Sequence, residues 1–77
     1  MRRKHYLISN GYLQRLNDAY LLSGLNAVEL GKIIHRNRKA VYKYMDGDTT
    51  PDVLTLARLC VALNISADWL LFGKEDK

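Results

Sequence analysis

The residues best suited to chemistry in this sequence are five cations between positions 32 and 43, with no acidic residue among them: Lys32, Arg36, Arg38, Lys39 and Lys43. Asn37 and Tyr42 are interspersed with them. Arginine and lysine donate hydrogen bonds to phosphate oxygens and to guanine O6 and N7, and asparagine pairs with adenine. Such an unbalanced cluster indicates a polyanionic partner, either nucleic acid or an acidic protein surface. A helix face kept basic only for solubility is the plainer interpretation, and it accounts less well for Asn37 and Tyr42.

Positive charge is concentrated in the first two thirds of the chain. The 12 lysines and arginines outnumber 8 acidic residues, which gives a formal net charge of +4. Residues 1–47 carry nine of the basic residues and three of the acidic ones, whereas residues 48–77 carry three and five. Arg2, Arg3 and Lys4 form a second basic group near the N-terminus. We expect them either to follow DNA as an arm or to belong to a disordered tail.

Other kinds of chemistry find little support in the sequence. Cys60 is the only cysteine and there are two histidines, which are too few for an intramolecular disulfide or a zinc site. No Ser-His-Asp set, glycine-rich phosphate loop or pair of carboxylates on one helix face is visible, so neither an enzyme nor a cofactor is predicted. No apolar segment approaches the ~20 residues of a membrane span. We therefore expect a cytoplasmic protein without a membrane partner.

Apolar periodicity and capping residues predict an all-α domain of five short helices over residues 10–73. A chain of 77 residues has room for one such domain. The predicted starts are Asn10, Asn26 with Glu29 at capping-box spacing, Asn37, Thr50 followed by Pro51, and Ser66. The predicted ends are Gly24, His35–Arg36, Gly47, Asn64 and Gly73. Residues 1–9 are then a basic arm and residues 74–77 a charged tail.

The apolar residues of these helices predict one core. Its expected members are Leu16, Tyr20, Leu30, Ile34, Val41, Leu56, Leu59, Cys60, Leu63, Ile65 and Trp69. Leu21 and Ile33 are further apolar positions on the first and second helices. The fourth helix has apolar residues on most of its sides, and only one side can pack against the core. We therefore predict that Val53, Leu54 and Val61 form an exposed contact surface.

The second and third predicted helices follow the helix-turn-helix plan, in which a short helix and a turn precede a second, capped helix. The inner face of that second helix must be held rigidly, and Val41 and Tyr44 are expected to pack inward. Its outer face then presents the polar residues Asn37, Arg38, Lys39, Tyr42 and Lys43.

Residues 25–73 resemble the Cro/C1-type helix-turn-helix domain of lambdoid phage repressors and Cro proteins. The matching segments are Leu25–Gly31, Ala40–Gly47, Thr50–Pro51 and Leu63–Gly73, and the Ser-x-Asp-Trp-Leu-Leu-x-Gly ending is typical of the family. The chain departs from the family pattern at four positions. The family often has Ala at Gly31, Gly at His35, an apolar residue at Arg36, and a phosphate-contacting Gln at Ala27.

The resemblance implies a five-helix, lambda-repressor-like fold and a sequence-specific transcriptional regulator, such as a Cro-like phage or prophage repressor. The recognition helix, Arg38–Met45, would enter the major groove of a double-stranded DNA operator. Base contacts are predicted for Asn37, Arg38, Lys39 and Lys43, and backbone contacts for Arg2, Arg3, Lys4, Lys32, Arg36 and Tyr42. Such regulators bind as homodimers because one helix reads half a site. The alternative is a small modulator or antirepressor on the same fold, which would pair with a partner repressor.

Overall fold

The computed structural model describes residues 11–74, and within them the chain forms five α-helices and no strand. They are α1 (Tyr12–Ser23), α2 (Ala27–Ile34), α3 (Arg38–Asp46), α4 (Val53–Leu63) and α5 (Ala67–Phe72). The predicted all-α architecture is therefore confirmed. The predicted arm, residues 1–9, lies outside the described part of the chain, as do residues 75–77 of the predicted tail. Of the helices described, none is long and apolar enough to cross a membrane.

Side-chain caps set the starts of most helices as the sequence predicts. The Asn26 side chain accepts from the Glu29 N–H at 2.8 Å, and the Glu29 carboxylate accepts from the Asn26 N–H at 2.9 Å, which completes the capping box of α2. Ser66 accepts from the Trp69 N–H at 3.0 Å and caps α5. The predicted helix ends are confirmed as residues in the left-handed region: Gly24, His35, Gly47, Asn64 and Gly73.

The predicted start of α4 is wrong. Its N-cap is Asp52, whose carboxylate accepts from the Thr55 N–H at 2.8 Å, so Thr50 and Pro51 precede the helix. A carboxylate at an N-cap makes a stronger, charge-assisted hydrogen bond than a hydroxyl does. Helix α1 begins at Tyr12 with Gly11 as its N-cap and no side-chain cap, and the predicted cap, Asn10, lies outside the described residues.

One core joins all five helices. Six of its side chains have no exposed surface: Leu16, Leu30, Ile34, Val41, Leu59 and Leu70. Cys60 and Leu63 are also buried, as predicted. Thr55 is the buried polar residue of this core. Each helix thus contributes at least one fully enclosed side chain, which fixes the helices relative to one another.

The core differs from the predicted one mainly at its edges. Four predicted members are only partly buried and pack against its outside: Tyr20, Leu56, Ile65 and Trp69. In α5 it is Leu70, not Trp69, that points into the centre. Four hydrophobic residues of the core are not among those predicted to lie in it or to pack inward: Ala19, Ala27, Met45 and Leu70. Leu21 and Ile33 are exposed, because Leu16, Leu30 and Ile34 already fill the inward faces of α1 and α2.

Two polar side chains of α1 tie other helices to the core. The Asn17 amide donates to the carbonyl of Leu13 in its own helix and to the carbonyl of Met45, both at 2.9 Å. The second bond satisfies a carbonyl in the last turn of α3. Arg15 Nε donates to the Leu70 carbonyl at 3.0 Å and links α1 to α5. Because these bonds cross from one helix to another, they restrict how α3 and α5 can move against α1.

Candidate nucleic-acid interface

Helix α3 has a buried face and a basic face. Val41, Tyr44 and Met45 are buried, and α3 packs against α1 and α2. The cations Arg38, Lys39 and Lys43 are all exposed. Lys39 and Lys43 are four residues apart and therefore lie on the same side of the helix, about one turn apart. The predicted outward face of the second helix is confirmed.

Asn37 is committed to capping α3. Its side-chain oxygen accepts from the Ala40 N–H at 2.9 Å, and its backbone is extended, as an N-cap requires. A bidentate pair with adenine needs the amide oxygen as well as the amide nitrogen. While the cap is formed, this oxygen is held against the helix end, and the amide nitrogen is the group left without a bond in the described residues.

The turn between α2 and α3 lies directly against α2. His35 is in the left-handed region with φ of 63°, and the next residue, Arg36, donates its N–H to the Gly31 carbonyl at 2.8 Å. A Cβ atom on Gly31 would lie 2.6 Å from the Arg36 carbonyl oxygen. The absence of a side chain at Gly31 thus permits a close approach, and the atom that it accommodates belongs to the turn itself.

Arg36 turns its side chain toward α4. Its Nη2 atom lies 3.2 Å from Asp52 Oδ2 and 3.3 Å from Thr55 Oγ1. Asp52 therefore caps α4 with one oxygen and pairs with Arg36 through the other. Hydrogen bonds from the Thr55 backbone and side chain lower the pKa of Asp52, and the charges of Arg36 and Arg58 lower it further.

The other predicted backbone contacts are more dispersed. Lys32, in the last turn of α2, and Tyr42, on α3, are both exposed. Tyr20 of α1 is near Tyr42; burial raises the pKa of Tyr20, and Tyr42 raises it further. Arg2, Arg3 and Lys4 lie outside the described residues. The structure thus groups Arg38, Lys39, Tyr42 and Lys43 on one helix and assigns Arg36 an internal partner.

Acidic residues mark the far end of α3. Asp46, its last residue, and Asp48, in the loop that follows, are both exposed. The surface potential of α3 therefore changes from positive at its start to negative at its end. Its first two turns are the part suited to a polyanion.

A second surface feature is the exposed apolar side of α4. Val53, Leu54 and Val61 expose 84%, 59% and 80% of their surface, as predicted, and Ala57 lies exposed between them. Ile33 of α2 borders the same area and, with Ala57 and Val61, lines a shallow depression. We name Val53, Leu54, Ala57, Val61 and Ile33 the α4 stripe.

Neither a metal site nor a reactive thiol emerges from the described residues. No group of three or more His, Cys, Asp or Glu side chains converges in residues 11–74. Cys60 is buried, and its burial raises the pKa of the thiol, which disfavours the reactive thiolate.

Comparison with known proteins identifies the fold. No protein-family model and no curated protein match the chain. Among solved structures, it is similar to the P22 c2 repressor protein in complex with synthetic operator 9T in the presence of Tl+. The two chains are 25% identical with a TM-score of 0.75, over 82% of this chain and 96% of the other. This chain has the Cro/C1-type helix-turn-helix fold. The lambda-repressor-like arrangement expected from residues 25–73 is thereby confirmed.

Several residues that position the Cro/C1-type helices were not found from the sequence. Asn17 is a polar residue on the otherwise apolar side of α1, and that contrast was the signal available. Asp52 and Thr55 have the three-residue spacing of an N-cap and its partner, but Thr50–Pro51 nearby offered a competing start. The bond from Arg36 to Asp52 joins residues 16 apart, so the spacing of neighbouring residues does not predict it.

Proposed function

We propose that this chain is a sequence-specific DNA-binding transcriptional regulator that places the first two turns of α3 in the major groove. The observation that carries the proposal is the basic, exposed face of α3 on a fold shared with a repressor bound to an operator. Nine residues of α-helix span about 14 Å. The major groove is roughly 12 Å wide, so about two turns of such a helix fit within it.

The cations of α3 then contact bases, and the exposed residues around them contact phosphates. Arg38 and Lys39 lie at the N-terminal end of α3, the end that contacts base edges in this motif. Lys43 follows one turn later on the side of Lys39. Lys32 and Tyr42 lie beside this face and contact phosphates, together with Arg2, Arg3 and Lys4 of the arm. Asn37 contributes through the N–H donors of its amide nitrogen, while its oxygen caps α3.

Selection from a random duplex library tests this proposal without knowledge of the operator. We expect enrichment of one sequence with two inverted half-sites whose centres lie about 10 base pairs apart. Fluorescence anisotropy then compares the selected duplex with a scrambled one at several salt concentrations. Arg38→Ala should cost ~1–3 kcal/mol on the selected duplex and much less on the scrambled one.

Lys32→Ala is the matched control for a cation that contacts only phosphate. It should weaken binding to both duplexes alike and reduce the salt slope by about one unit. Arg3→Ala should behave in the same way. If the wild-type protein enriches no sequence and binds both duplexes equally weakly, the proposed regulator function is wrong.

We further propose that two copies associate through the α4 stripe when they occupy two half-sites. Val53 and Val61 each lie four residues from Ala57, so the stripe is symmetric about a small residue. Antiparallel pairing around a two-fold axis would place Val53 of one copy against Val61 of the other, with the two Ala57 residues at the centre. The stripe has only five side chains per copy, and interfaces that bury less than about 1,200 Å² in total are typical of weak, transient complexes. A weak homodimer stabilised by DNA is the expected result.

Sedimentation velocity of the free protein and of its complex with the selected duplex measures this association. Replacing both Val53 and Val61 by Gln should leave the fold intact, since both side chains are exposed, and should abolish the second binding event on DNA. Leu22→Gln is the matched control, because Leu22 is 88% exposed and belongs to α1, not to the stripe. One copy bound per duplex at every concentration would contradict the homodimer.

The modulator or antirepressor function is the second candidate, and the same α4 stripe favours it. A protein that acts on a partner repressor needs an exposed apolar surface but no reading of bases. In that case Arg38→Ala would leave the affinity for DNA unchanged, and the Gln replacements at Val53 and Val61 would abolish binding to the partner repressor. A gel shift with and without that repressor distinguishes the two functions.

A further inference from the structure

The turn of the helix-turn-helix is tied to a helix that does not support α3 directly. Helix α3 packs on α1 and α2, and its backbone does not approach that of α4. Arg36, the second residue of the turn, bridges this gap through its guanidinium group. Its two acceptors, the Asp52 carboxylate and the Thr55 hydroxyl, lie in the first turn of α4 or at its cap.

We propose that Arg36, Asp52 and Thr55 form a clamp that sets the position of α3 for base reading, and that Arg36 is a positioning residue and not a phosphate contact. This inference deepens the proposed DNA-reading function and rests on it. We call these three residues the turn clamp. It replaces the earlier expectation that Arg36 contacts the DNA backbone.

The acceptors of the turn clamp are themselves held in place. Thr55 is 1% exposed, so its hydroxyl is fixed within the core and cannot follow Arg36 outward. Asp52 is held by its capping bond to the Thr55 N–H at 2.8 Å. Arg36 therefore meets an acceptor pair that belongs to the rigid part of α4. Because the acceptors are already held in place, the hydrogen bonds from Arg36 mainly limit the motion of the turn.

The main chain of the turn transmits this restriction to α3. Arg36 donates its N–H to Gly31, and the following residue, Asn37, caps α3 through Ala40. The side chain and the main chain of Arg36 thus hold the turn from two sides, α4 and α2. A displacement of Arg36 moves the cap residue next to it, and with it the end of α3 that carries Arg38 and Lys39.

A clamp made of charges is also consistent with the sequence of the turn. Arg36 occupies a position where the resembling family often has an apolar residue, which would hold the turn by burial. The Arg36 side chain is 44% exposed and that of Asp52 is 63% exposed. The bond between them is therefore modest in strength, and we expect its loss to change binding about two- to fivefold.

Two variants separate the turn clamp from a phosphate contact. Arg36→Gln removes the charge, and Asp52→Asn removes the opposite charge while Asn retains the ability to cap α4. By simple electrostatics, loss of an acidic residue near DNA tightens binding to every duplex. If the clamp positions α3, Asp52→Asn instead lowers the preference for the selected duplex over the scrambled one, as Arg36→Gln does, by about two- to fivefold.

Asp48→Asn is the matched control for Asp52→Asn. Asp48 is an exposed acidic residue in the loop between α3 and α4, and no side-chain hydrogen bond or ion pair ties it to the described residues. Its replacement should tighten binding to both duplexes alike. If Asp52→Asn behaves like Asp48→Asn, and Arg36→Gln weakens both duplexes equally with a salt slope lower by about one unit, Arg36 is a phosphate contact and the clamp is refuted.

Amide hydrogen exchange of the free protein tests the turn clamp without DNA. Arg36→Gln and Asp52→Asn should each speed the exchange of the residue 36 amide, which is bonded to the Gly31 carbonyl, and Asp48→Asn should not. Unchanged exchange in both clamp variants would overturn the clamp. Because this measurement involves no DNA, it decides the clamp even if the chain proves to read no sequence.

Discussion

Replacing Gly31 by Ala is the sharpest test of how the turn lies on α2. The resembling family often has Ala at this position, and in the middle of a helix Ala is favoured over Gly by about 1 kcal/mol. A comparison based on helix propensity or on the family alone therefore predicts a stabilised protein. The structure predicts the opposite sign, because the Arg36 carbonyl oxygen would lie 2.6 Å from the new Cβ atom.

The loss of stability expected for Gly31→Ala depends on which atoms must move to make room for the new Cβ atom. The obstructing atom is backbone, so a rotamer change cannot relieve the clash, and overpacking of this kind costs ~1–3 kcal/mol. Displacing the turn also weakens the 2.8 Å bond from the Arg36 N–H to the Gly31 carbonyl, which adds ~0.5–1.5 kcal/mol. After the gain in helix propensity is subtracted, the free energy of unfolding should fall by about 0.5–3.5 kcal/mol.

Denaturant unfolding followed by circular dichroism measures this change. Val28→Ala is the matched control: Val28 is an exposed residue of α2, and its replacement raises helix propensity without touching the turn. We expect the control to be neutral or slightly stabilising. If Gly31→Ala is as stable as the wild type or more stable, the turn does not lie against α2 as described, and the close approach at Gly31 is wrong.

Three further predictions follow from burial and charge. Leu70→Ala should lower the free energy of unfolding by ~2–5 kcal/mol in thermal or denaturant melts, whereas Leu22→Ala, at an exposed position, should change it little. Cys60 should react slowly with iodoacetamide in the native protein and rapidly in denaturant, since burial raises the pKa of its thiol; equal rates would contradict its burial. Because folding lowers the pKa of Asp52, its charged form should stabilise the fold at neutral pH, and this contribution should decline as the pH falls from the ordinary value of 3.8 through the lower pKa of the folded protein, while Asp52→Asn shows no such decline.

Local features of the sequence predicted the helices well. Asn26 with Glu29, Asn37 and Ser66 each find their partners within three residues, so their hydrogen bonds can be inferred from spacing alone. The helix end at Gly47 was predicted correctly for the same reason. Capping is a short-range interaction, and a single sequence contains all of the information that it needs.

Interactions between distant residues account for the errors. The choice of Asp52 over Thr50 as a cap is reinforced by Arg36, sixteen residues away, which no local pattern reveals. In α5, six residues are too few for periodicity to decide which of Trp69 and Leu70 faces inward. Trp69 is expected in the core because the resembling family uses this residue to pack the last helix, but a ring can cover the edge of a small core while a leucine fills its centre.

The internal hydrogen bonds of the described residues divide the polar side chains near α3 into two kinds. Asn17, Asn37 and Arg36 each form a bond within the protein, and each would lose it on turning toward DNA. Such a loss costs about 0.5–3 kcal/mol, depending on whether the bond is charged. The side chains of Arg38 and Lys43 have no hydrogen bond or ion pair to residues 11–74, so they can bind a ligand at no such cost. Residue type alone cannot make this division, because Arg36 and Arg38 are the same amino acid two positions apart; what separates them is the acceptor that α4 provides to one and not to the other.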